Sequence, residues 1–151
     1  MTQNCGDDRE DSDLFPDIRQ RRPRNAWELR ETWSYVWEAE QTCWKLTLDS
    51  GFEFEPSVPR PLWSLVSPME TLTASAPHDF IYRYEGQIPM TGADGRLDVK
   101  ENGQWTAFEG TVSRRNADRF FGRILKEQGV TPWRRWMAFK AVHWFGRFWW
   151  G

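Results

Sequence analysis

Apolar residues recur with a period of two from Trp33 onward. In "TWSYVWEAE", Trp33, Tyr35 and Trp37 alternate with smaller or polar neighbours, and in "CWKLTLDSGFEFE", Trp44, Leu46 and Leu48 do the same. Alternation of this kind predicts strands with one buried face. Asp49-Ser50-Gly51 predicts a turn after the second strand. A small antiparallel sheet is therefore expected.

The pattern then breaks at "EPSVPRPLW", where Pro56, Pro59 and Pro61 exclude regular helix or central strand. Ser67-Pro68 has the form of a helix start, cap followed by first turn, and the helix is expected to run through "METLTASAPHDFIYRY". Pro77 either kinks that helix or begins a second one at His78, and Gly86 ends it. "RLDVKENGQWTAF" reads as a hairpin turning at Asn102-Gly103, with Leu97, Val99, Trp105 and Phe108 in its strands. Ser113 is expected to cap a helix that Gly129 terminates, and Thr131-Pro132 to start a last one through "WRRWMAFKAVHWFGRFWW". The predicted architecture is α+β, a small antiparallel sheet and hairpin packed on about three helices.

Composition changes this picture at the two ends. Residues 1–25 are polar, charged and aperiodic, and read as a tail that is disordered or ordered by a partner, with residues 26–151 as one domain. Six carboxylates precede "IRQRRPR", whereas Thr131 to Gly151 holds Arg134, Arg135, Lys140 and Arg147 and no acid. The acidic N-terminus lacks an apolar run, so no signal peptide is expected, and no stretch approaches the length of a membrane-spanning helix. The net charge of -2 conceals this asymmetry between the ends, which can signal an anionic partner, although arginines on a solvated face are commoner; nucleic acid is not expected as a partner. With two cysteines, Cys5 and Cys43, a disulfide scaffold is not expected. A reduced compartment follows, with Cys43 as a small core residue. Eleven tryptophans are more than a domain of 151 residues needs, which suggests a dense aromatic core or a broad contact surface in an assembly; with the charged tail, the closing helix favours self-association or docking on a larger particle.

One window carries candidate chemistry. In "APHDFIYRY", His78 and Tyr82 project from a helix in nearly the same direction, Asp79 about a quarter turn away, and Phe80, Ile81 and Tyr84 on another face. The Ser113 helix has an apolar stripe of Ala117, Phe121, Ile124 and Leu125 with Asp118 at its edge. A partly desolvated aspartate needs hydrogen-bond donors, and His78 and Tyr82 on a facing helix supply two. A carboxylate holding one imidazole nitrogen leaves the other as a general base able to take a proton from water. Asp79, aimed elsewhere, is suited to a hard cation.

This constellation, His-Asp-x-x-Tyr on one helix, a hairpin, then Asp on a second helix, resembles the core of the phospholipase A₂ superfamily, most closely its viral capsid type. The resemblance implies His78 as general base for water, Tyr82 and Asp118 orienting it, and Asp79 binding calcium. It implies an ester hydrolase acting on membrane lipid or cell envelope. A wider resemblance spans roughly Trp44 to Trp150. The blocks "SVPRPLW", "HDFIY", "SRRNADRFF" and "AVHWFGRFWW" are similar in order and spacing to an uncharacterised phage and prophage family with S-[IV]-P-R, HDxLY and ADxxF blocks and a final aromatic helix. That family implies a phage-type protein located in the virion or the host cytoplasm, with other virion proteins as partners. The alternative to an enzyme is a virion head or tail component in which the cluster is structural.

Other candidates rank lower. Ser57, Ser64 and Ser67 lie in no G-x-S-x-G turn and are not read as nucleophiles. His143 reads as a surface or packed histidine, and no zinc pattern is present. The last helix reads as a core helix whose aromatic end packs on the sheet or a neighbouring subunit; the alternative is a membrane surface, which its tryptophans and cations would suit.

Overall fold

In the computed structural model, which describes residues 5, 15–21, 26–58, 60–67, 69–148 and 150, the alternating segments form the larger of two sheets. Strands β1 (Ile18–Arg21), β2 (Ala26–Leu29), β3 (Trp33–Ala39), β4 (Thr42–Leu48) and β5 (Glu53–Phe54) come first. Helix α1 (Leu72–Arg83), hairpin strands β6 (Gly95–Glu101) and β7 (Gln104–Ala107), then helices α2 (Arg114–Glu127) and α3 (Pro132–Gly146) follow. The architecture is α+β, with three helices among the described residues and two small antiparallel sheets ordered β1-β2-β5 and β3-β4-β6-β7.

The register of β3 and β4 sets Trp33 opposite Leu48, Tyr35 opposite Leu46 and Trp37 opposite Trp44, so the two alternating sets share a face. Phe120 of α2 inserts against that face, its ring centroid 4.2 Å from Trp37 and 5.5 Å from Tyr35. The β6–β7 turn has Asn102 and Gly103 at φ 52° and 78°, as a type I′ turn requires. Phe108, expected in a strand, lies one residue beyond β7. The β3–β4 hairpin closes through Glu40 and Gln41, also at positive φ, a loop that carries no glycine to announce it.

The smaller sheet extends into the stretch expected to be a tail. β1 pairs antiparallel with β2, and Arg19 and Arg21 reach the buried Glu28 carboxylate at 2.6 and 3.0 Å. Cys5 and Cys43 are joined in a disulfide across 38 residues. This corrects the expectation of unpaired thiols, because β4 buries Cys43 at a point that Cys5 reaches from the N-terminal segment. Residues 1–4, 6–14 and 22–25 of the expected tail lie outside those described.

α1 begins at Leu72 rather than at Ser67-Pro68, of which Pro68 lies outside the described residues. Ser67 accepts the Met69 N–H at 3.3 Å and so caps a turn ahead of the helix. Of the two courses open at Pro77, a single helix passes through it. α2 starts as expected, with Ser113 Oγ accepting the Asn116 N–H at 3.2 Å, and Gly129 follows its end at φ 82°. α2 packs against both α1 and α3. The inward side of α3 is built from Ala138, Ala141, Val142 and Gly146; Trp150 beyond its end packs on Tyr82, whereas Trp133, Trp136, Trp144 and Phe148 are exposed.

Candidate functional site

The three helices converge on one carboxylate. Asp118 on α2 is 0% exposed, and its Oδ1 accepts His78 Nε2–H at 3.0 Å and the Tyr82 hydroxyl at 2.6 Å, both from α1. Its Oδ2 accepts His143 Nδ1–H at 3.0 Å from α3. The facing of His78 and Tyr82 toward Asp118 is as the helical spacing predicts. His143 was not among the predicted partners: nothing in its neighbourhood marks it, and only the inward turn of the small-residue side of α3 brings it to Asp118. Gly146 matters to this closure, because a Cβ there would land on the Tyr82 hydroxyl.

Burial works against the Asp118 charge, but the hydrogen bonds from His78, Tyr82 and His143 outweigh it and hold the carboxyl below its ordinary range. For His78, which is 4% exposed, burial dominates the opposing pull of Asp118 and lowers the imidazole value. Burial, reinforced by Asp118, pushes the Tyr82 hydroxyl up. Near neutral pH the ring is therefore neutral, and its contact with Asp118 is a hydrogen bond to a carboxylate rather than an ion pair. Donation from Nε2 leaves Nδ1 as the bare acceptor.

That second nitrogen faces Ser57, whose Oγ lies 3.3 Å from Nδ1 and 3.4 Å from Asp79 Oδ1. The absence of a G-x-S-x-G turn is thus no guide to Ser57. It reaches His78 because the proline-rich connector after β5 folds back onto α1, where Ser57 N–H donates to Ser75 Oγ at 2.9 Å. Glu55 N–H donates to Asp79 Oδ2 at 2.8 Å and fixes the same connector. Both Ser57 and Asp79 are half-buried. Burial pushes the Asp79 carboxyl up to about 7, helped by the nearby Glu55 charge and opposed by the Glu55 N–H, Arg83 and Ser57.

Calcium takes six to eight oxygen ligands from ionised or carbonyl groups. Asp79 brings one carboxylate that burial holds near neutrality, with Glu55 N–H and Ser57 already on its oxygens. Among the described residues no group of three or more His, Cys, Asp and Glu side chains is placed to hold a metal ion. This donor set does not fit calcium. A groove of about 960 Å³ lies elsewhere, lined by Trp37, Trp44, Phe108 and Phe120 among others but by none of Ser57, His78 or Asp118.

The DUF1353 family, described as a protein of unknown function, matches residues 27–142, and the chain belongs to that family. The match spans Ser57, His78, Asp79, Tyr82 and Asp118 and ends one residue short of His143. No curated protein and no solved structure matches the chain.

Proposed function

We propose that the chain is a phage-type ester hydrolase, acting on membrane lipid or another envelope ester, in which His78 is the general base. One observation carries this reading: Ser57 Oγ contacts His78 Nδ1 at 3.3 Å and His78 Nε2 contacts Asp118 Oδ1 at 3.0 Å, so the ring connects the hydroxyl to the carboxylate. A hydroxyl, a neutral imidazole and a buried carboxylate in that order are the parts of an activated nucleophile. The phospholipase A₂ resemblance puts water in front of the free nitrogen, and here Ser57 stands there. Ser57 Oγ attacks the ester carbonyl with its hydroxyl turned from Asp79 Oδ1 to His78 Nδ1; its proton passes to Nδ1, and Asp118 stabilises the imidazolium. The ring returns that proton to the departing alkoxide as the C–O bond breaks. Water, deprotonated by the same ring, then releases the acid from Ser57. The order of the S-V-P-R, H-D-x-x-Y and A-D-x-x-F blocks supports the phage-type assignment and a place in the virion or host cytoplasm.

A second reading has its own support. Asp118 is 0% exposed and ties α1 and α3 to α2, a structural task sufficient in itself for a non-enzymatic virion component. Hydrolysis of short-chain aryl esters and of phospholipid vesicles separates the two. The enzyme reading expects turnover lost by at least about a hundredfold in Ser57→Ala and His78→Ala, both still folded. No turnover by the unaltered chain on any ester leaves the structural reading. Turnover that survives Ser57→Ala but not His78→Ala returns water to the nucleophile's place.

A further inference from the structure

α3 has a second apolar face, opposite its buried one. Each residue advances about 100° around a helix, which aligns Trp133, Trp136, Lys140 and Trp144 on the side away from Ala138, Val142 and Gly146. Arg147 and Phe148 continue the row past the helix end. The rings are open to solvent: Trp133 is 54% exposed, Trp136 62%, Trp144 59% and Phe148 70%. A row of this extent on one helix is an interaction surface rather than scattered surface apolarity.

Charge selects the occupant. Thr131 to Gly151 carries Arg134, Arg135, Lys140 and Arg147 and no Asp or Glu. The cations sit beside the rings: Lys140 Nζ is 6.0 Å from the Trp136 ring, and the Arg147 guanidinium is 5.2 Å from Trp144 and 4.9 Å from Phe148. A second copy brought face to face would place Lys140 and Arg147 against their like, and Glu70, the carboxylate near the Trp133 end of the row, is already paired with Arg134, which disfavours self-association here. A row of indoles flanked by ammonium and guanidinium groups suits the phosphate and acyl boundary of a bilayer, where an indole is half wet and half dry. α3 has 15 residues, and no helix among the described residues is long and apolar enough to cross a membrane, so the helix would lie along the surface.

We propose that the Trp133, Trp136, Lys140, Trp144 and Arg147 face of α3 docks on an anionic phospholipid surface. His143 sits one residue before Trp144 and holds Asp118, so the docked helix also carries one donor of the buried cluster. Docking does not rest on hydrolysis, and ether-linked lipids keep the two apart.

The test is co-sedimentation of the full chain with ether-linked vesicles, either wholly phosphatidylcholine or containing about one third phosphatidylglycerol. Binding is expected to the anionic vesicles, weakening with salt. Lys140→Glu/Arg147→Glu and Trp136→Ser/Trp144→Ser should each lower the partition coefficient at least about tenfold, with unchanged circular dichroism. A matched control on α2, Arg115→Glu/Arg119→Glu, should lower it by no more than about twofold. No binding to anionic vesicles, equal binding to phosphatidylcholine, or an equal loss in the α2 control would overturn the proposal. So would self-association, seen by analytical ultracentrifugation, that the α3 substitutions abolish; the face would then be a protein interface.

Discussion

The two ring nitrogens of His78 face surroundings of opposite kinds. On the Nε2 side, Asp118 is fully enclosed and takes donors from two other helices at 2.6–3.0 Å. On the Nδ1 side, Ser57 and Asp79 are half-buried, their contacts stretch to 3.3 and 3.4 Å, and Ser57 comes from a connector rather than a helix. One side holds the ring; the other leaves Ser57, the proposed nucleophile, room to move. A general base needs both, since a ring free on both sides loses its tautomer and a ring locked on both sides has nothing to react with.

Substitutions can break this contrast. Asp118→Ala should have the largest effect on stability, because it strands the buried His78 donor and removes the partner of the half-buried Tyr82 and His143 donors. A loss of about 2–4 kcal/mol in denaturant unfolding is expected, against no more than about 1 kcal/mol for Ser57→Ala. Equal losses would mean that the Ser57 side is as structural as the Asp118 side.

A smaller effect concerns pH. The folded Asp79 value, about 7, stands above the ordinary 3.8, so the folded chain binds that proton more tightly than the unfolded chain. Its contribution to stability is complete below about pH 3.8, declines as pH rises, and is gone above about 7. The lowered His78 value acts in the other direction, so the informative quantity is the difference from Asp79→Asn. Relative to that variant, the unaltered chain should lose unfolding free energy between about pH 4 and pH 7. A difference that stays flat over this range would show that Asp79 is not held near neutrality.

The same contrast marks what was legible in the sequence. Helical spacing put His78 and Tyr82 on one side of α1, and the unmet needs of Asp118 named their partner. Alternation in β3 and β4, the Asn102-Gly103 turn and the Ser113 cap are local signals, and the fold follows them. Ser57 and His143 meet the cluster only through long-range packing. Ser57 is 21 residues from His78, and no local period records where a proline-rich connector folds back. α3 misled for a related reason: large rings usually mark the core side, but here the small residues do, because α3 packs closely enough for Gly146 to lie against Tyr82. β1, the Glu40-Gln41 hairpin and the Cys5–Cys43 bond are likewise set by partners distant in the chain or by backbone angles that those residue types seldom adopt.

In the proposed hydrolase, His78 Nδ1 activates the Ser57 hydroxyl. The most direct test of this activation is intact-mass and peptide mapping after reaction with an aryl alkylphosphonate, which labels an activated serine without needing the natural substrate. One adduct is expected, on Ser57, formed much faster than on any other serine and lost in Ser57→Ala and in His78→Ala. No adduct on Ser57, or one that forms at the same rate in His78→Ala, would contradict the activation of Ser57 by His78.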